Sequence, residues 1–288
     1  MKTAKEYILE AQKNKKALGH FNVSNMEGVW AVSRAAKSLN LPVFIGVSEG
    51  ERDFIGIKEI RAIVTAVKED LDHPIFLNAD HTYSFDRVKE VVDAGFDSVI
   101  IDGAKLSAED NLKLTQESVQ YAKSKNPNIL IEGELGYIGQ SSKLLNELPE
   151  GVNLDPKSLT HPDVAKDFVN KTGIDLLAPA VGNIHGMLKG GGNPALNIER
   201  VKEIGEATGV PLVLHGGSGS SDEDFANAIE AGISIIHINT EIRVAYRDAL
   251  KKSLQDEPDE ISPYKIAKPA MVAMQKVIEN RIKLFNRS

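Results

Sequence analysis

The stretch Ile75-Phe76-Leu77-Asn78-Ala79-Asp80-His81 is a mostly apolar run that stops on an acid and an imidazole. Short and bounded by polar residues, Ile75–Ala79 reads as a strand buried on both faces, as in parallel sheets. The arrangement returns twice: Leu176–Val181 is followed by His185, and Val210–Leu214 by His215. In an α/β barrel, side chains just past the strand ends point into the mouth, where catalytic groups gather. Three neutral imidazoles converging there would form a catalytic zinc site with a fourth position open to water or substrate. Asp80, beside the first ligand, supplies an acid/base group. Three unrelated strand-end histidines are the alternative, but their shared placement favours a metal-dependent enzyme.

Around these runs a strand-then-helix alternation recurs eight times. Strands are expected at Ala17–Val23, Pro42–Val47, Ile75–Ala79, Ser98–Asp102, Ile129–Glu134, Leu176–Ala180, Pro211–His215 and Ser234–Asn239. Segments with helical spacing lie between them, among them Met26–Leu39, Ile57–Leu71, Ser84–Ala94 and Ile198–Ala207. Repeated βα units imply a parallel sheet, and eight of them close on themselves. The expected fold is therefore α/β, a single (β/α)8 TIM barrel spanning residues 1–288. Tyr264–Phe285 adds an extra C-terminal helix, suited to capping the barrel or to subunit contact. Two long loops, Gly136–Pro156 and Gly182–Pro194, leave the catalytic end and are candidate lids.

Composition narrows the function classes. A net charge of −7 disfavours nonspecific binding to nucleic acid or anionic membrane. No run approaches the length of a bilayer span, and Met1-Lys2-Thr3-Ala4-Lys5-Glu6 opens a mixed-charge helix rather than a signal segment. The absence of cysteine removes disulfides and thiolate ligands together. A cytoplasmic enzyme without nucleic-acid or membrane partners is expected.

The run Leu214-His215-Gly216-Gly217-Ser218-Gly219-Ser220-Ser221 sets glycines and hydroxyls between a strand and a helix. Such a loop turns several backbone N–H groups toward one anion, helped by the helix N-terminus. The eighth strand ends similarly on Ile238-Asn239-Thr240-Glu241. Loops after the seventh and eighth strands are the usual phosphate cradle of barrels. One glycine-rich loop alone is an ordinary turn; two in these units, one carrying a metal ligand, point to a phosphorylated small molecule.

These elements resemble the zinc-dependent class II fructose- and tagatose-bisphosphate aldolases. The matching stretches are Gly19-His20-Phe21-Asn22, Ala79-Asp80-His81, Ile131-Glu132-Gly133-Glu134-Leu135-Gly136, Gly182-Asn183-Ile184-His185-Gly186 and Val213-Leu214-His215-Gly216-Gly217-Ser218-Gly219. They keep the family's order along most of the chain. The resemblance implies His81, His185 and His215 as zinc ligands and Asp80 as acid/base on the C4 oxygen. It further implies Asp102 and Glu134 as holders of an alternative, more buried metal position; both could equally be carboxylates tied into the hydrogen-bond network of the mouth. Gly186, Lys189, Gly216, Ser218, Asn239 and Thr240 correspond to the cradle for the dihydroxyacetone-phosphate end, although Lys189 could be a solvated lid charge and Asn239 a helix cap. Ser48 and Asn22, at the first two strand ends, would face the other phosphate or be plain turn residues. One catalytic Zn2+, with room for a monovalent cation, and a homodimer or homotetramer complete what the resemblance implies.

The expected reaction is reversible cleavage of a ketose 1,6-bisphosphate, foremost fructose 1,6-bisphosphate, into dihydroxyacetone phosphate and glyceraldehyde 3-phosphate. Breaking C3–C4 leaves charge on C3 and the C2 oxygen, which a divalent ion stabilises as a Lewis acid. A Schiff base on Lys105 or Lys189 is the disfavoured alternative. Tagatose bisphosphate, differing only at C4, and a non-catalytic phosphosugar-binding subunit are the competing functions. Two departures bear on this. The family's acidic loop residue is absent from Tyr137–Lys143, which has Ser141 and Ser142, so Glu147 or Glu150 would have to substitute. The family's asparagine at the eighth strand end is His237 here, a candidate proton carrier or an ordinary strand histidine. His20 is expected to be structural, and His73 and His161 to lie on the surface.

Overall fold

Runs of Val, Ile, Leu and Phe without helical spacing become eight parallel strands closed into a ring in the computed structural model, which describes residues 2–140, 142–190 and 192–287. The strands are β1 (Leu18–Asn22), β2 (Val43–Val47), β3 (Ile75–Thr82), β4 (Ser98–Ile101), β5 (Leu130–Leu135), β6 (Leu144–Leu145), β7 (Leu176–Pro179), β8 (Met187–Leu188), β9 (Leu212–Leu214) and β10 (Ile233–Ile238). The barrel runs β1-β2-β3-β4-β5-β7-β9-β10 and closes through Leu18 opposite Ile235. Its eight strands are the eight expected segments, with ends shifted by a few residues. The helices Met26–Leu39 and Ile57–Leu71 have the expected bounds; Phe85–Asp93 and Ile198–Thr208 differ by a residue at one or both ends.

Strand alternation divides the apolar residues into two bodies. Phe21, Ile45, Leu77, Val99, Ile131 and Leu214 face outward and pack under the helices. Leu18, Phe44, Phe76, Leu130, Leu176, Val213 and Ile235 fill the interior near the strand starts. The N-terminal helix Ala4–Lys13 adds Ala4, Ile8 and Ala11 to that inner body, closing the barrel end opposite the mouth. Thr3 and Glu6 form the capping box that starts this helix.

The last helix, Pro263–Asn286, does not cap the mouth. Its buried stripe of Ala270, Met274, Ile278, Ile282 and Phe285 lies against the helices Met26–Leu39 and Thr240–Asp256, and its end returns to β1 through Ala17 N donating to Phe285 O. It therefore seals the seam where first and last βα units meet. The two long loops also form one unit, because β6 pairs in parallel with β8. Lys189 Nζ donates to Asn146 Oδ1 at 3.1 Å beside this ribbon.

His73 departs from expectation: it is buried, with Nε2 2.8 Å from the Leu41 carbonyl, while His161 is an exposed helix cap. Burial lowers the pKa of His73, so the unfolded chain takes up a proton first as pH falls. Its contribution to stability is present above the ordinary imidazole pKa of about 6.5 and is lost as pH falls below it toward the lowered folded value. Urea denaturation at pH 7 and pH 5 is expected to show a smaller acid-induced loss of stability in His73→Gln than in the parent protein. An identical loss would deny His73 that role.

Candidate active site

The mouth is built from a break in β3. Its ladder with β2 ends at Ala79 opposite Val47, and its ladder with β4 skips from Ala79 to Thr82. Between them His81 adopts φ +45°, a conformation that non-glycine residues rarely take. Neighbours on a regular strand point to opposite faces; a bulge re-aims one of them. Asp80 and His81 accordingly both line the same pocket.

His185, from the loop after β7, and His215, just past β9, meet His81 there. The three imidazoles offer nitrogens within 4.8 Å of one another. Their rings are mutually tilted, by 66° between His81 and His185, 90° between His81 and His215, and 74° between His185 and His215. Tilted rings can aim in-plane lone pairs at one point. Two other clusters, His20/Asp80/His237 and Glu132/His215/His237, bring ligand atoms equally close. In those the histidine rings are stacked, at 3.5 Å and 7° or 4.1 Å and 21°, so their lone pairs run side by side. His81/Asp102/Glu134 is the fourth such cluster among the described residues.

Carboxylates surround these imidazoles. Asp102 Oδ2 and Glu134 Oε1 each lie 2.9 Å from His81 Nδ1, while Glu132 Oε1 lies 2.7 Å from His215 Nε2. Asp80 Oδ1, Glu134 Oε1 and His215 Nδ1 are buried without a hydrogen-bond partner. Buried polar atoms left unpaired are costly, and three at one centre fit a cation in their midst. Burial alone would discharge His215, but Glu134 and Glu132 outweigh it and raise its pKa to about 10. His81 is likewise raised well above the ordinary range, Glu134 and Asp80 overcoming its burial. Burial, then the charges of His81 and His215, lower His185 to about 3. Asp80 is held well below the usual carboxylate range: burial opposes its charge, but His81, His237 and His20 outweigh it.

Asn22 donates through Nδ2 to Asp80 Oδ2 at 2.7 Å and to Glu51 Oε2 at 3.0 Å. Both amide hydrogens thus serve carboxylates, and the expectation that Asn22 faces a phosphate gives way to one of orienting Asp80. Ser48 lines the pocket, but its N–H and hydroxyl donate to Glu51 Oε2. Gly186, Gly216, Ser218, Asn239 and Thr240 line the pocket as expected; Lys189 is exposed on the ribbon, outside the lining. Gly216 has φ +63°, and a Cβ there would lie 2.2 Å from Ile184 O. Ser218 Oγ accepts from the N–H groups of Asn239 and Glu241, tying the two loops together.

His237 lines the pocket with Nδ1 3.4 Å from Asp80 Oδ1, sandwiched between the rings of His20 and His215. Glu147 and Glu150 are exposed and outside the lining. Ser142 lines it and accepts from Asn239 Nδ2, whereas Ser141 lies outside the described residues. Lys105 bonds Gln140 and stands over the Tyr137 ring, away from the lining. Sequence reasoning missed Glu132, Arg243, Tyr83 and Gln140. Glu132 was findable, because it stands two residues from Glu134 on β5 and so shares its face.

A closed parallel barrel with a tri-histidine centre and an adjoining ionised carboxylate at its mouth defines a metal-dependent α/β-barrel enzyme. The sequence profile described as Fructose-bisphosphate aldolase class-II matches residues 2–288. This chain belongs to that family. A fructose-bisphosphate aldolase of Staphylococcus epidermidis is 36% identical over 287 residues, covering 99% of this chain and 96% of the relative. One from Geobacillus stearothermophilus is 36% identical over 288 residues, covering 99% and 96% respectively. The crystal structure of the YdjI aldolase from Escherichia coli superposes with TM-score 0.82 at 30% identity, covering 98% of this chain and 96% of that one. Metal dependence accompanies the family.

Because His81 and His215 hold protons in the metal-free protein, binding of a divalent metal ion at these imidazoles near neutral pH is expected to release protons. Calorimetric titration in buffers of different ionisation enthalpy measures this. An apparent enthalpy independent of buffer would contradict the raised pKa values of both histidines.

Proposed function

We propose that the chain is a zinc-dependent aldolase that reversibly splits a ketose 1,6-bisphosphate, fructose 1,6-bisphosphate foremost, into dihydroxyacetone phosphate and glyceraldehyde 3-phosphate. The observation that carries the reading is the meeting of three mutually tilted imidazoles with Asp80, whose Oδ1 is unpartnered. His81, His185 and His215 would hold the ion, with Asp102 and Glu134 available for the more buried position. When bound, the ion supplies Lewis-acid stabilisation of the negative charge that develops on the substrate oxygens.

The chain's own groups do the rest. Asp80 stays ionised, and the Asn22 hydrogen bond occupies Oδ2. Oδ1 is then the atom that takes the C4 hydroxyl proton on cleavage and returns it on condensation. Backbone N–H groups around Gly186, Gly216 and Ser218, with Asn239 and Thr240, cradle the dihydroxyacetone-phosphate end. Arg243, which lines the pocket while giving one N–H to Glu51 Oε1 at 2.6 Å, supplies positive charge at the opposite end. Phosphate binding positions the scissile bond and so contributes to the barrier reduction. His237 is the proposed proton carrier for the hydroxymethyl carbon of dihydroxyacetone phosphate, since it lines the pocket and the lid glutamates do not.

The proposal extends to one domain over residues 1–288, a cytoplasmic location, and a homodimer or homotetramer. Apolar side chains exposed at Phe54, Ile261 and Tyr264 support association.

Purified protein offered fructose or tagatose 1,6-bisphosphate is expected to release triose phosphate with zinc, lose activity to a strong chelator, and regain it on zinc addition. Full activity without metal, or a lysine adduct trapped by borohydride, would overturn the mechanism. Asp80→Ala is expected to retain zinc yet slow cleavage by ~10²–10⁴-fold, the usual worth of a positioned acid/base. Near-normal turnover would reassign Asp80 to orienting His81. His237→Asn is expected to slow deuterium exchange at the hydroxymethyl carbon, without aldehyde present, while zinc content stays normal. Unchanged exchange would remove His237 from the proton path.

A further inference from the structure

Among the described residues Arg52 is the largest fully buried side chain, and none of them brings a carboxylate to its guanidinium at hydrogen-bond distance. Glu49 Oε1 stands 3.9 Å away. Nε is buried without a partner, and the two Nη groups bond elsewhere. Nη1 donates to Val47 O at 2.6 Å and Asp80 O at 3.1 Å; Nη2 donates to His81 O at 3.4 Å and Thr82 Oγ1 at 3.3 Å.

Those acceptors mark the break in β3. β2 ends at Val47, so past Ala79 it no longer runs alongside β3. Arg52, on the helix Glu49–Ile55 that follows β2, reaches back and fills the place of the missing strand. The conformation it braces is strained, because a non-glycine residue at φ +45° persists only where its surroundings hold it. A planar fork suits several acceptors spread over two segments, and an ammonium point charge does not.

We infer that Arg52 is a positioning residue for the aldol reaction: by binding the carbonyls of Asp80 and His81, it keeps two consecutive side chains aimed into one mouth. It touches neither substrate nor metal. The inference rests on the roles proposed for Asp80 and His81. It predicts coupled losses, in zinc affinity through His81 and in turnover through Asp80. Substrate affinity, set mainly by the loops after β7, β9 and β10, should hardly change.

The test compares zinc-loaded wild type, Arg52→Lys and Arg52→Met. Zinc affinity is read by competition with a chromophoric chelator, and kcat and KM are measured at saturating zinc. Arg52→Met is expected to weaken zinc binding and lower kcat, each by ~10–100-fold, the usual effect of removing a group that orients a metal ligand. KM should stay within about threefold, because the groups that bind substrate are intact. Arg52→Lys should fall between, and it carries the test alone if Arg52→Met fails to fold. A folded variant with wild-type zinc affinity and kcat would overturn the inference even if its melting temperature drops, since Arg52 would then be structural only. Wild-type activity indifferent to chelator would instead overturn the zinc reading beneath it.

Discussion

Two neighbouring residues of one strand, Asp80 and His81, must face the same way, and ordinary strand geometry forbids it. The rest of the mouth depends on how that conflict is resolved. β3 leaves its ladder after Ala79, rotates His81 to φ +45°, and rejoins β4 at Thr82. Asn22 from β1 then fixes the Asp80 carboxylate from one side, and Asp102 beyond β4 holds His81 Nδ1 from the other. Groups from β1, two strands away, and from just past β4 thus turn a distortion into a defined pair. The distortion is affordable because the inner apolar body and the N-terminal helix secure the barrel at its far end, away from the site.

Electrostatics at the mouth follows from the same crowding. The buried carboxylates of Asp80, Asp102, Glu132 and Glu134 crowd against the imidazoles of His81 and His215, with the partly exposed His185 beside them. Without a metal, protons are the available counter-charge, and His81 and His215 retain theirs while His185 does not. Glu134 Oε1 lies 2.9 Å from His81 Nδ1 and 3.1 Å from His215 Nδ1, so its charge is close to both rings although it has no hydrogen-bond partner. A divalent cation would take over the role of two protons in this cluster. The centre therefore couples metal affinity to pH through the same atoms that bind the metal.

Much of this was legible in the chain. Eight apolar runs give the barrel because strands buried on both faces need no partner residue to be recognised. His81, His185, His215 and Asp80 were visible because strand-end positions map to one rim. What failed was anything decided by cross-strand reach. Asn22 and Ser48 were placed at the rim, yet Glu51, which takes hydrogen bonds from both, could not be inferred from spacing. His73 was expected on the surface, but its ring turns inward to Leu41 O. Arg52 was invisible for a deeper reason: an arginine on a short helix reads as a solvated charge until the absence of a neighbouring strand gives its donors a purpose.

The histidine column shows how one rim position depends on packing elsewhere in the barrel. His237 brings a ring that lies flat between two others, 3.5 Å from His20 and 4.1 Å from His215. Room for His20 comes from β2: a Cβ at Gly46 would lie 2.0 Å from the His20 ring, so only glycine leaves space there. Asn78 Nδ2 donates to Ser98 Oγ, which turns its Oδ1 toward His20 Nε2 and fixes that ring in its plane. Gly46, His20, His237 and His215 thus form a continuous column from the barrel wall to the proposed metal ligand. Stacking aligns the rings face to face, which fixes the plane of His237 and leaves its edge beside Asp80. A bulkier residue at position 46 would displace His20 first and the ligand only through it. The side chain at position 237 is therefore constrained by β2, a strand it never touches in the ladder.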